Sequence, residues 1–137
     1  MKKTIIILIT ILLILGLMFF PFVRDITSNN RTLKKFSNHL FDSTLPPMTK
    51  EITRNSEVGI LVANGDHCDF RAKMTLETSL SKQEIISFYH MAMPSAKGQS
   101  QVKINIKFHD ENVNNKLVFD IEILDDGYNT GFDLRCV

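Results

Sequence analysis

The chain has 137 residues, a formal charge of +1 and a mean hydropathy near zero. That length holds one small domain and excludes a doubly wound enzyme, a (β/α)8 barrel or a polymerase. Setting aside Lys2 and Lys3 leaves 14 basic against 15 acidic residues, a net of −1 with no basic stripe, which argues against nucleic acid as a partner.

Thr4 to Val23 is a run of 20 residues without a charge, interrupted only by Thr4, Thr10, Gly16 and Pro21. At about 1.5 Å per residue a helix of this run spans roughly 30 Å, the thickness of a bilayer's hydrocarbon core. A cleavable secretory signal has a shorter apolar stretch of about 7–15 residues, followed by small residues. Phe19-Phe20-Pro21-Phe22 occupies that place here, and no cysteine directly follows to accept a lipid. Residues 1–23 are therefore expected to remain as a transmembrane signal anchor. Lys2, Lys3 and the amino terminus give +3 on one side; Arg24, Arg31, Lys34 and Lys35, less Asp25, give +3 on the other. The positive-inside rule is thus nearly silent. The short Lys-rich tail and the two cysteines favour a carboxyl-terminal domain outside the cytoplasm.

Residues 24–47 read as a juxtamembrane helix and a Pro-rich linker. Leu33, Phe36 and Leu40 recur at helical spacing, with Asn29 or Asn30 as the cap. Arg31, Lys34 and Lys35 on the same stretch are of the type that holds anionic headgroups. Leu45-Pro46-Pro47 stops the helix, because proline lacks the backbone donor and pushes its predecessor towards extended backbone.

Residues 48–137 form the folded domain. Glu57–Ala63 predicts a strand ending at the turn signal Asn64-Gly65-Asp66, with a weaker strand before it at Met48–Arg54. Cys68, Phe70, Ala72, Met74 and Leu76 then alternate with Asp69, Arg71, Lys73, Thr75 and Glu77, the period of a half-buried strand. Ser81-Lys82-Gln83-Glu84 is a capping box that starts a helix; Leu80 and Ile85 form its staple, Ile85, Phe88, Tyr89 and Ala92 or Met93 its buried stripe, and Pro94 with Gly98 its end. Val102, Ile104, Ile106 and Phe108 mark one further strand, and Leu117, Phe119, Ile121 and Ile123 another. Asp125-Asp126-Gly127 reads as a turn, after which Phe132, Leu134 and Cys136 alternate as a last strand. The expected fold is α+β: an N-terminal transmembrane helix, then a small antiparallel sheet of four or five strands, about β-β-α-β-β-β, with one helix packed on its apolar face.

Outward-facing Arg71, Lys73, Lys103, Lys107 and Arg135 balance Asp69, Glu77, Asp120, Glu122 and Asp133. Such a balance suits cross-strand pairing and a solvated face rather than a polyion site.

Cys68 and Cys136 each fall in register with the core-facing residues of their strands, so they are expected to form a disulfide in an oxidising compartment; two buried unpaired thiols are the alternative. The bridge would close a loop of about 69 residues, worth on the order of 4.4 kcal/mol by chain entropy.

Asp66, His67 and Asp69, beside Cys68, are the densest candidate for metal binding or a small hydrolase. The spacing argues against it, since structural zinc sites bring ligands in pairs such as C-x2-C and adjacent strand residues point to opposite faces. His39, His90 and His109 join no ligand set. There is no G-x-S-x-G elbow, S-x-x-K, phosphate loop or H-E-x-x-H. Asp120, Glu122, Asp125 and Asp126 are close in sequence, yet glycoside chemistry would need a cleft around them. No cofactor is implied.

Leu45-Pro46-Pro47, Gly59-Ile60-Leu61, Ala63-Asn64-Gly65-Asp66 and Leu80-Ser81-Lys82-Gln83-Glu84-Ile85 with Phe88-Tyr89 together resemble a pattern of small uncharacterised bacterial proteins with an amino-terminal membrane segment. The resemblance covers about a third of the chain and implies a membrane-tethered extracytoplasmic domain, with no activity attached. The expected role is a non-enzymatic interaction module of the cell envelope whose partners are the lipid bilayer and another envelope protein. The alternatives are a small hydrolase or metal-binding protein using Asp66, His67 and Asp69, and a membrane-complex subunit contacting through its transmembrane helix.

Overall fold

A computed structural model describes residues 2–62, 67–92, 103–109, 116–128 and 130–137. In chain order they form helix α1 (Lys2–Phe41), strands β1 (Thr49–Gly59) and β2 (Cys68–Thr78), helix α2 (Lys82–Ala92), strands β3 (Lys103–Phe108) and β4 (Leu117–Tyr128), and a 3-10 turn at Leu134–Cys136. The strands make one sheet in the order β1-β2-β4-β3, every neighbouring pair antiparallel. The α+β class and the antiparallel sheet stand as expected.

The segments expected as anchor and juxtamembrane helix are one element. α1 runs 40 residues without a break, about 60 Å of helix. No glycine or proline separates Phe22 from Phe41, so nothing stops propagation, and Asn29 and Asn30 lie inside the helix rather than capping it. The amino-terminal part is apolar and long enough to cross a membrane and buries nothing against the domain. There the Thr10 hydroxyl donates to the Ile6 carbonyl at 2.9 Å, which hides its polarity from an apolar surrounding.

The carboxyl-terminal part of α1 belongs to the core. Leu33, Phe36, Ser37 and Leu40 recur every three or four residues and turn one face to the sheet. Asn29 lies beside Cys68 and Phe36 beside Phe70, with ring centres 6.3 Å apart, while Leu40 joins the cluster containing Met74 and Leu76. α1 therefore runs alongside β2 in the same direction, and Cys68 marks the end of the sheet nearest the apolar run. Two helices, not one, cover the apolar face: α2 adds Ile85 and Tyr89 against Phe119, Ile121 and Ile123. The capping box forms as expected, with Ser81 N donating to Glu84 Oε2 at 2.8 Å. Pro94 and Gly98 lie outside the described residues.

Three strand expectations are corrected. The two predicted segments before Cys68 are a single strand, β1, registered from Thr49 opposite Thr78 to Gly59 opposite Asp69. The apolar Ile60-Leu61-Val62 leaves the sheet because the buried Asp69 carboxylate captures the amides of Leu61 and Val62, both at 2.8 Å. β1 is polar and lies at the edge; a register shift between Glu51 and Thr53 and the Arg54 guanidinium 5.4 Å over the Phe41 ring fit it there. β4 continues through Asp125 to Tyr128, since β2 is long enough to pair with it as far as Cys68, and the turn signal yields to that ladder. Phe132, Leu134 and Cys136 form no strand. Asp133 accepts from Arg135 N at 3.2 Å and caps the 3-10 turn, leaving Leu134 exposed and Cys136 buried.

Because Leu40 is fully buried on a helix otherwise committed to the apolar run, it tests the dual role of α1. Leu40→Ala in the full chain in detergent should lower the unfolding free energy by about 2–5 kcal/mol. Ile52→Ala, at an exposed β1 position, should change it by less than about 0.5 kcal/mol. Urea unfolding followed by circular dichroism checks both; equal effects would remove α1 from the core.

Candidate functional site

The described residues hold three polar constellations. The first joins the carboxyl-terminal segment to α1 and β2. Asp133 is fully buried; Arg135 Nη2 donates to its Oδ2 at 2.7 Å and Nε to its Oδ1 at 2.9 Å, while Asn29 Nδ2 donates to Oδ2 at 2.8 Å. Arg135 also donates through Nη1 to Asn30 Oδ1 at 2.8 Å. Alongside, Cys68 and Cys136 are disulfide-bonded, their Cα atoms 4.9 Å apart and both side chains buried. One turn closer to the apolar run, Phe132 N donates to Asp25 Oδ2 at 3.0 Å and the Phe132 ring lies 5.2 Å from that of Phe22. Gly131 makes this approach with φ +54°, and a Cβ there would meet Asp25 Oδ2 at 2.4 Å. Gly59 passes under the same segment, where a Cβ would stand 3.2 Å from the Arg135 carbonyl oxygen.

The electrostatics follow from these contacts. The Arg135 guanidinium, helped by Asn29 and the Arg135 amide, outweighs burial and holds the Asp133 carboxyl down to about 2. Asp25 is likewise lowered, first by its bond from Arg24 and then by the Phe132 amide. Asp133, Cys68 and Cys136 bring three ligand-type atoms within 4.8 Å, but the two sulfurs are spent on each other. In this state the group is a clamp.

The second constellation is the predicted Asp66, His67 and Asp69 set. His67 Nε2 lies 3.0 Å from Asp69 Oδ1, so those two are brought together; Asp66 lies outside the described residues. Asp69 is fully buried and its other oxygen is occupied by the Leu61 and Val62 amides. Its evident work is to hold the β1–β2 connection against the sheet.

The third is the outer face. Asp120 accepts from the Thr75 hydroxyl at 2.7 Å and faces Lys73 Nζ at 2.7 Å and His109 Nε2 at 3.0 Å. Burial raises the Asp120 pKa, but the bonds from Lys73, Thr75 and His109 together leave it below the ordinary value. Arg71 pairs with Glu57 and lies 4.0 Å from Glu122, and Lys116 reaches Glu77 at 3.0 Å. Lys107 shares this face, opposite Asp120. Asp69, Asp133 and Arg135 leave the expected set of outward charges, the first under its loop and the others in the 3-10 turn. The face carries a shallow depression of about 240 Å³ lined by Glu57, Arg71, Lys73 and Glu122, among others. Glu122 and Asp120 thus have cationic partners. His39 lies beside another depression, at the end of α1, and the His90 side chain is outside the described set.

Sequence reasoning found the cysteines and missed Asn29, Asn30, Asp133 and Arg135 as one group. The available signal was Gly131 followed two residues later by Asp133, a turn and a cap that break the alternation. Nothing local marks Asn29 and Asn30. Compared with protein-family models, curated proteins and solved structures, the chain has no match.

The folded pKa of Asp133, about 2, lies below its unfolded value of about 4, so its stabilisation is complete above that value. It is lost as pH falls through the interval down to the folded pKa. Asp133→Asn should cost about 1–3 kcal/mol at pH 7. It should also flatten the acid limb of a stability profile measured by urea unfolding. An acid limb as steep as that of the unsubstituted protein would refute the assignment.

Proposed function

We propose that this protein is a membrane-anchored, extracytoplasmic interaction module of the cell envelope, held by α1 and engaging another envelope protein without catalysing a reaction. The carrying observation is that the long apolar helix continues directly into the core of a domain closed by a buried disulfide. Such a bond persists where thiols oxidise, which favours the side of the membrane away from the cytoplasm. A protein meant only to be released would gain nothing from building its core on the anchor.

The interaction role is supported by how the polar groups are used. Asp69, Asp120 and Asp133 are each occupied by partners within the chain, and Asp133 is held ionised rather than poised near neutrality. The metal or hydrolase alternative at His67 and Asp69 has one carboxylate oxygen, Oδ1, facing the imidazole, because Oδ2 is taken by the loop amides. A surface of paired charges is instead suited to complementarity with one partner, in which rim charges set specificity and encounter rate.

In cells stripped of their wall, a membrane-impermeant amine reagent should label Lys50 and Lys82 and spare Lys2 and Lys3, as read by peptide mass spectrometry. The reverse pattern would place the domain in the cytoplasm and end the proposal. Zero-length cross-linking in the same cells should give a covalent adduct heavier than the monomer; recovery of the monomer alone would remove the interaction role.

A further inference from the structure

The segment that clamps α1 also presents apolar side chains that the domain does not use. Phe132 is 51% exposed, Leu134 70% and Val137 73%. None of the three belongs to either buried cluster.

Their position along α1 is fixed by bonds. Arg135 reaches Asn30, Asp133 reaches Asn29, and Phe132 reaches Asp25 through its amide and Phe22 through its ring. The segment thus descends the helix towards the apolar run, and Phe132 is the residue of it that contacts that run. Phe22 is the last residue but one of the uncharged stretch. Since that stretch matches the hydrocarbon thickness of about 30 Å, Phe22 falls near the hydrocarbon boundary. The full bilayer is about 40–45 Å thick, so an interfacial layer of roughly 5–7 Å lies on each side. A ring centred 5.2 Å from that of Phe22 stands within or beside this layer.

We propose that Phe132 is a second membrane contact: its ring enters the interfacial layer of the phospholipid bilayer beside Phe22 and seats the domain on the lipid surface. This rests on the reading of α1 as a membrane anchor. The chemistry around the ring suits that place. The Phe132 amide, which would be costly unbonded near lipid, donates to Asp25. The Asp25 carboxylate in turn is paired with Arg24 at 2.8 Å, so no bare negative charge faces the headgroups. Arg24 lies on α1 just above, where anionic headgroups attract basic residues, and Arg31 and Lys35 continue the same side of the helix further from the apolar run. Ile60, also exposed, leaves the sheet at this same end, since β1 finishes at Gly59 opposite Asp69.

The chain has no tryptophan, so a substitution supplies a unique fluorophore. Full-length Phe132→Trp, Phe20→Trp and Ile52→Trp are reconstituted into vesicles of phosphatidylcholine and phosphatidylglycerol, with and without bromine on the acyl chains near the headgroup end. Ile52 lies in the half of β1 that pairs with the far end of β2 and serves as the distant reference. Because Phe132 and Ile52 are both half exposed, tryptophan is accommodated at either site, and an oxidised Cys68–Cys136 pair verifies the fold of each variant. Bromination should quench Phe132→Trp by about twofold or more, as for an aromatic ring at the interface, and leave Ile52→Trp unchanged. Quenching of Phe20→Trp without Phe132→Trp would overturn the second contact and leave the anchor standing. No quenching of Phe20→Trp would overturn the anchor reading, and this inference with it. Equal quenching of Ile52→Trp and Phe132→Trp would overturn the seating at Phe132.

Discussion

Withdrawing a carboxylate from water costs several kcal/mol unless a counter-charge and donors meet it, and Asp133 is withdrawn completely. Its cost is offset by two parts of the chain at once. Arg135 supplies the charge from two residues away, and Asn29 supplies an amide from 104 residues away on α1. Arg135 alone reaches both oxygens, and Asn29 adds a further donor to Oδ2 that is in place only when the carboxyl-terminal segment lies on the helix. The disulfide to Cys68 adds the third part, β2, at the same point. Helix, strand and tail are thereby joined where the anchor meets the domain, and removing one member leaves a buried charge or a broken loop.

That junction explains how one helix combines an exposed apolar run with a half packed into the core. A helix leaving a bilayer would ordinarily fray or bend into a linker, because its next turns have no packing to stabilise them. Here the turns after Phe22 are held first by Phe132 and the Asp25 bond, then by Asn29 and Asn30, and then by Leu33, Phe36 and Leu40 in the core. The polar contacts bridge the interval between two apolar ones. The domain's orientation to the apolar run is set by an unbroken helix rather than by a flexible tether, which is what would give a residue of the tail a definable depth if the run spans a membrane as proposed.

The sequence made the elements with internal signals legible. The capping box at Ser81 starts α2 on a local hydrogen-bond exchange, and the alternation after Cys68 needs only a sheet with one buried face. Cys68 was readable because it keeps company with core residues in β2, whereas the strand expected around Cys136 does not form and Phe132 and Leu134 stay exposed. What stayed hidden depends on distant partners. Glu57–Ala63 looks like a strand, yet Asp69 pulls its end into a loop, and no property of Ile60 or Leu61 announces that capture. Asp125-Asp126-Gly127 looks like a turn, yet β2 extends far enough to keep it in the ladder. Asn29 and Asn30 suit a helix cap by composition and are instead mid-helix donors and acceptors for a tail more than a hundred residues on. The clamp was illegible for the same reason that it holds: its members are far apart in the chain.

The placement of the helices also decides which surface would remain for the proposed partner. One face of the sheet is covered by α1 and α2, and the end near Cys68 is taken up by the tail. Among the described residues nothing packs over the outer face, and its charges there are largely matched: Lys73 and His109 surround Asp120, Arg71 stands between Glu57 and Glu122, and Lys116 meets Glu77. Matched charges create little long-range field, so this face would not gather a polyanion or polycation from solution. Their energies, about 0.2–1 kcal/mol each across strands, are small enough to be exchanged for contacts with a partner of complementary pattern. A module confined beside a partner by a common bilayer, as proposed above, would have little need of steering, because membrane anchoring would raise the local concentration that charge would otherwise supply. On that proposal, the balanced outer face and the helix built into the core are consistent with each other: the membrane would bring partners together and pairwise chemistry would select among them.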